Sequence, residues 1–194
     1  MPHSGAGLVQ QSVQIVESSA TLRSHDLTLF VALEQDAIVD NGAATYVPLV
    51  NYLMINETPS LFAEMGHELV IHTVVTGGQA LLDTAGAVSQ LVSQFPEPAT
   101  FVVWLNPYWG PIESDGKTFW QFKGYKDNQA RIAAVISIPA MQAATFGRDV
   151  EDMLKERLTF DEALDSSERP VAIRQRLKIY RRALFNEMDA AKVL

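Results

Sequence analysis

Leu69-Val70-Ile71-His72-Thr73-Val74-Val75-Thr76-Gly77-Gly78 is a mainly apolar run that ends in a turn, and Leu81, Ala85, Val88, Val92 and Phe95 follow it at helical spacing. A near-continuous apolar run suits a strand covered on both faces, and a strand leading into an amphipathic helix is the repeating unit of a parallel sheet. Residues 37–40, 101–105 and 132–138 are further runs of the same kind. Thr58-Pro59 reads as an N-cap followed by Pro at the first helical position, and Thr159 with Glu162 reads as a capping box. The expected class is therefore α/β with a mostly parallel sheet.

Composition bounds what such a fold does. The chain has 194 residues, 47% apolar and 20% charged, the profile of one soluble domain with a sizeable core. A net charge of −8 argues against non-specific binding of nucleic acid or anionic membrane over the whole surface. There is no Cys, so disulfides, thiol nucleophiles and thiolate metal sites are excluded. No basic leader precedes an apolar run and no apolar stretch is long enough to span a bilayer, which makes a cytoplasmic protein the expectation. The expected division is an N-terminal segment, residues 1–35, with a short strand near residues 13–16 and a helix near 27–33. An α/β core, residues 36–165, and a C-terminal amphipathic basic helix of the same domain, residues 166–194, complete it.

Ligand sites in parallel sheets form at the carboxyl ends of strands, and Asp40, Thr76, Asn106 and Pro139 all close expected strands. Asp40-Asn41-Gly42 suits an acid oriented toward Mg²⁺ and equally suits a turn. Thr76-Gly77-Gly78 reads as a tight βα turn or as a helix N-terminus that binds an anion. Residues 110–118, with Gly110, Gly116, Lys117 and Thr118, imitate a phosphate-binding loop. Five residues separate the glycines where four are needed, Glu113 and Asp115 would repel phosphate, and Pro111 lacks an N–H donor, so a surface loop is expected. The four His are scattered and no hydrolase or zinc motif occurs. In the last helix Ile173, Leu177, Tyr180, Leu184 and Met188 form an apolar stripe beside a basic one of Arg174, Lys178, Arg181 and Arg182. That stripe is a solvated edge of a helix docked on the sheet, or a contact for a partner, a membrane surface or DNA phosphates.

Longer strings carry a resemblance: Val39-Asp40-Asn41-Gly42-Ala43, the run from Glu64 through His67 and His72 to Ala80, the run from Phe101 through Asn106 to Ile112, and Glu156-Arg157-Leu158-Thr159-Phe160-Asp161. From about residue 38 onward the chain resembles the TraL conjugal-transfer proteins of broad-host-range plasmids, within the ParA/MinD-like group of deviant-Walker P-loop ATPases. The resemblance implies a doubly wound parallel sheet of P-loop NTPase type, a role in conjugation or partition, other conjugation or partition proteins as partners, and a homodimer. It implies ATP and Mg²⁺ as cofactors, with Asp40 orienting Mg²⁺ through water. Asn41, Gly42 and Ala43 would form a switch loop, Asn106 would recognise adenine and Pro139 would border the base. The P-loop portion that opens such proteins is not identifiable in residues 1–35, where Arg23 is the only cation. The chain as written is thus expected to be N-terminally truncated, unable to hydrolyse ATP, and destabilised or dependent on a partner. The alternative expectation is a nucleotide-independent interaction module on the same scaffold, acting through the basic C-terminal helix.

Overall fold

The structure is a computed structural model that describes residues 14–18 and 37–192. The chain divides into two compact units, Met1–Glu68 and Leu69–Leu194. In the first, strand β1 (Gln14–Ser18) pairs in parallel with β2 (Ala37–Asn41), from Gln14 opposite Ala37 to Ser18 opposite Asn41. Helix α1 (Ala43–Ile55) and the short α2 (Thr58–Glu64) follow. The strand expected near residues 13–16 is therefore present; the helix expected near 27–33 lies outside the described residues.

In the second unit β3 (Val70–Thr76), β4 (Thr100–Asn106) and β7 (Ile132–Ser137) form a parallel sheet in the order β3-β4-β7. Between β4 and β7 lie a two-stranded hairpin, β5 (Glu113–Ser114) with β6 (Lys117–Thr118), and helix α4 (Lys123–Asn128). Helix α3 (Leu81–Gln94) follows β3 and packs on it. After β7, a π-helical turn at Ala143–Gly147 leads to α5 (Arg148–Lys155), α6 (Phe160–Asp165) and the long α7 (Val171–Ala191). Helix α7 packs against β7, and around Met153, Ala163 and Leu177 it closes a small core with α5 and α6.

The apolar runs become strands within one residue of their expected ends, and the parallel pairing is as expected. Coverage differs from strand to strand. In β4, Phe101, Val102 and Val103 are wholly buried, so this central strand is covered on both faces. In β3, His72 and Val74 are exposed, and in β2, Ala37, Ile38 and Asp40 are exposed. The physical reason is position: among the described residues β3 bonds only to β4 and β2 only to β1, so each is an edge strand.

Local signals behave unevenly as well. The Thr159 box forms: its hydroxyl accepts from the Glu162 N–H at 3.3 Å, while the Glu162 carboxylate accepts from the Thr159 N–H at 2.8 Å. Thr58 is no N-cap. It is the first helical residue of α2, Glu57 precedes it in a left-handed conformation (φ 47°), and the Thr58 hydroxyl is buried without a hydrogen-bond partner.

The tightest junction involves a residue that carries no motif. Arg131, just before β7, donates from Nη1 to the carbonyls of Val92 and Phe95, both at 2.6 Å, and from Nη2 to those of Pro96 and Ala99, both at 3.2 Å. Its guanidinium also lies 5.3 Å from the centre of the Phe101 ring. A cation at a helix C-terminus meets carbonyls that have no intrahelical partner and the negative end of the helix dipole. Arg131 thus ties the end of α3, the α3–β4 turn and the start of β4 to β7.

Candidate functional site

At the carboxyl edge of the three-stranded sheet Thr76 pairs with Asn106, and the Ile138 N–H donates to the Leu105 carbonyl at 2.9 Å. Asn106 and Pro139 are thereby brought to neighbouring strand ends. The Asn106 side chain is already occupied in part: its Oδ1 accepts from the Tyr108 N–H at 3.1 Å and caps the turn Pro107–Trp109. Asp40, Asn41, Gly42 and Ala43 belong to the other unit. Asp40 is exposed near the end of β2, Gly42 is extended, and Ala43 begins α1, so the expected switch loop is a direct strand-to-helix passage. The Thr45 hydroxyl and N–H both donate to the Gly42 carbonyl at 2.9 Å.

The turn after β3 is closed by backbone. The Gly77 N–H donates to the Asn106 carbonyl at 2.9 Å, and the Thr76 N–H donates to the Thr84 hydroxyl at 3.1 Å. A Cβ on Gly77 would collide with the Gly110 carbonyl, and one on Gly78 would lie 2.5 Å from the Trp109 carbonyl oxygen. The glycines are there because two turns pack backbone to backbone. Carbonyl oxygens, not N–H donors, face this turn from Trp109 and Gly110.

The imitation phosphate loop is a hairpin. Asp115 (φ 51°) and Gly116 (φ 70°) both occupy the left-handed region between β5 and β6, as a two-residue type I′ turn requires.

On β3 and β4, the Trp104 indole N–H donates to His72 Nδ1 at 3.0 Å. Burial holds the His72 imidazole below its ordinary pKa.

Helix α7 buries Leu177 and half-buries Ile173, Tyr180, Leu184 and Met188, so the apolar stripe faces the protein. The basic stripe is split. Arg181 pairs with Asp161 at 2.7 Å and lies 5.3 Å from the Phe185 ring centre. Arg174 is half-buried, with its Nε enclosed and without a hydrogen-bond partner. Only Lys178 and Arg182 stand fully in solvent.

Over 166 residues the chain is 59% identical to a protein of Escherichia coli named Protein TraL, and the match spans 86% of this chain and 69% of that protein. The chain belongs to the TraL family. A second Escherichia coli Protein TraL is 54% identical, with the same shares covered. No protein-family model matches the chain, and no solved structure matches it.

In this TraL-family chain a triphosphate finds little to fit. Fourteen of the 15 Lys and Arg lie in residues 117–194 and the other is Arg23, so residues 24–116 contain none. That stretch includes Asp40, Asn106 and the Gly77-Gly78 turn. Phosphates need N–H donors and cations, and here the turn presents carbonyls and the strand ends present no positive charge. Among the described residues no cluster of three His, Asp or Glu is placed to hold a metal ion. Among them too, no helix is long and apolar enough to cross a membrane.

Three features carried no local motif. Arg131 is one. The second is Arg176, which pairs through Nε and Nη2 with both oxygens of the buried Asp149, the Nη2 contact at 3.1 Å. In sequence Arg176 is one more cation beside a basic stripe. The third is the cation-free span itself, which a count of charges along the TraL-family chain reveals.

Proposed function

We propose that this chain serves plasmid conjugal transfer or partition as a nucleotide-independent interaction protein on a ParA-like α/β scaffold. The observation that carries the reading is the turn after β3. Its glycines seat the carbonyl side of Trp109 and Gly110, where an ATPase of the ParA type would keep room and donors for phosphate. The cation-free span from residue 24 to residue 116 supports it. Titration of the chain with ATP and Mg²⁺ in a calorimeter tests it. The expected result is no saturable heat at millimolar nucleotide; Mg²⁺-dependent binding abolished by Asp40→Ala would overturn it.

The reading it competes with is an ATP-binding member of the same group. The adjacency of Asn106 and Pro139 at the carboxyl edge favours that alternative, since a base would rest there. In it Asp40 orients Mg²⁺ and Asn41, Gly42 and Ala43 sense the terminal phosphate. A homodimer belongs to that alternative as well.

For the interaction reading, α7 offers Lys178 and Arg182 to an acidic protein or to DNA phosphates, with Arg174 and Arg181 at the margin. Replacing all four by Gln leaves the fold in place, because the Arg181–Asp161 pair is an exposed one worth about 0–1 kcal/mol. Transfer frequency in a mating assay should fall with the fourfold variant. An unchanged frequency and unchanged DNA retention would dismiss α7 as the contact.

A further inference from the structure

Beside the closed turn, the carboxyl edge of the second unit carries exposed aromatic surface. Trp109 is 72% exposed and Tyr108 52%, and their rings meet edge-on with centroids 4.7 Å apart. Leu82, 64% exposed at the start of α3, belongs to the same edge, because the turn holding Tyr108 and Trp109 packs on the turn that leads into α3. Large apolar groups this exposed mark interaction surfaces more often than accidents of composition. The pair is also presented rigidly. Gly77 and Gly78 receive the backbone of Trp109 and Gly110 at contact distance, so little order remains to be gained when a partner binds.

Charge selects the partner. Asp83 follows Leu82 in the first turn of α3, and Glu113 lies in β5, against which α3 packs. Both are exposed, and neither forms an ion pair among the described residues. The nearest cation in sequence is Lys117, on the other strand of the hairpin. A Trp face rimmed by unpaired carboxylates attracts a guanidinium twice, through the ring quadrupole and through charge. It repels a phosphate chain.

We infer that Tyr108, Trp109 and Leu82, with Asp83 and Glu113, form a docking surface for an arginine-bearing basic segment of a partner protein. This rests on the interaction reading above and names the chemistry of its partner. The surface is separate from the basic face of α7, so the chain presents two contacts of opposite sign.

The probe is a fluorescein-labelled hexa-arginine peptide, followed by anisotropy at low and at high salt, with hexa-lysine and hexa-glutamate peptides for comparison. The arginine peptide should bind more tightly than the lysine peptide, and the glutamate peptide should not bind. Trp109→Ala should weaken binding about tenfold with unchanged circular dichroism, because the side chain is largely in solvent. The double variant Asp83→Asn, Glu113→Gln should weaken it about as much and flatten its salt dependence. Equal affinity for the parent chain and Trp109→Ala would overturn the inference, leaving only diffuse attraction to an acidic protein. So would Trp109-dependent binding of an oligothymidylate, which makes the surface a base-stacking site. Self-association in sedimentation that Trp109→Ala abolishes would also overturn it in favour of a second copy. Failure of the interaction reading itself shows separately, as binding of ATP and Mg²⁺ in the calorimeter.

Discussion

β3 and β4 are both seven-residue strands, bonded in parallel along their whole length, yet they live in different surroundings. β4 buries Phe101, Val102 and Val103 completely, whereas β3 buries Val75 and leaves Val74 47% exposed with His72 beside it. An apolar run therefore specifies that a segment is extended and belongs to a sheet. Which neighbours the sheet will supply on either side is a property of the whole assembly, and the run does not encode it.

The sharpest way to test that difference is to truncate one side chain on each strand. Phe101→Ala removes a wholly buried ring that meets Phe95 edge-on and Arg131 from above, and should cost about 3–5 kcal/mol. Val74→Ala should cost less than about 0.5 kcal/mol, since little of its surface is taken from water. Urea denaturation of the two variants gives both numbers. A loss at Val74 as large as that at Phe101 would mean that β3 is covered in solution.

The next effect belongs to Arg131. Its four carbonyl contacts join the α3–β4 turn to the start of β7, so Arg131→Ala should destabilise the second unit by about 3 kcal/mol. Arg131→Lys should recover part of this, because an ammonium keeps the charge but not the planar fork. If Lys restored everything, the helix dipole alone would account for the role of Arg131.

Much of this frame is legible in the chain. Strand runs, the Thr159 box and the apolar stripe of α7 are local patterns, and each is found within a residue of where it is read. Arg131 was not legible, because its partners are backbone carbonyls 32 to 39 residues away and carbonyls leave no trace in sequence. The candidate site was legible in part. Asn106 and Pro139 do come to neighbouring strand ends, but nothing in Thr76-Gly77-Gly78 announces that Gly110 will occupy the concavity. The basic stripe of α7 misled for a related reason: Asp161 and Phe185 take Arg181 out of it, and only the fold brings Asp161 there.

Gly77 is where the edge strand is fastened to the central one, and it gives a smaller effect than Arg131. Gly77→Ala forces the Gly110 carbonyl to move and should cost about 2 kcal/mol. Because the strain is confined to the turns, Tyr108 and Trp109 should shift with it, visible as changed Trp fluorescence. An unstrained, fully stable Gly77→Ala would show that the turn opens readily and has room for a ligand.

The smallest expected effect lies on the exposed side of β3 and depends on pH. His72 Nδ1 accepts the Trp104 indole hydrogen, so the imidazole must be free of a proton at that atom. Burial already lowers its pKa from the ordinary 6.5, and protonation would also remove the acceptor. An unfolded His72 therefore takes up a proton at a higher pH than the folded one. Stability from this group is complete above pH 6.5 and is lost as pH falls from there through the depressed folded value. The loss should stay within about 1 kcal/mol, the scale of a single neutral hydrogen bond at a wet site. The Trp104 indole ¹⁵N–¹H resonance should titrate with a midpoint below 6.5, and His72→Phe should abolish both that titration and the matching part of the acid destabilisation. A resonance that ignores pH between neutrality and the onset of unfolding would mean that the His72–Trp104 bond is not kept in solution, and that β3 meets water along this face with no polar contact to β4.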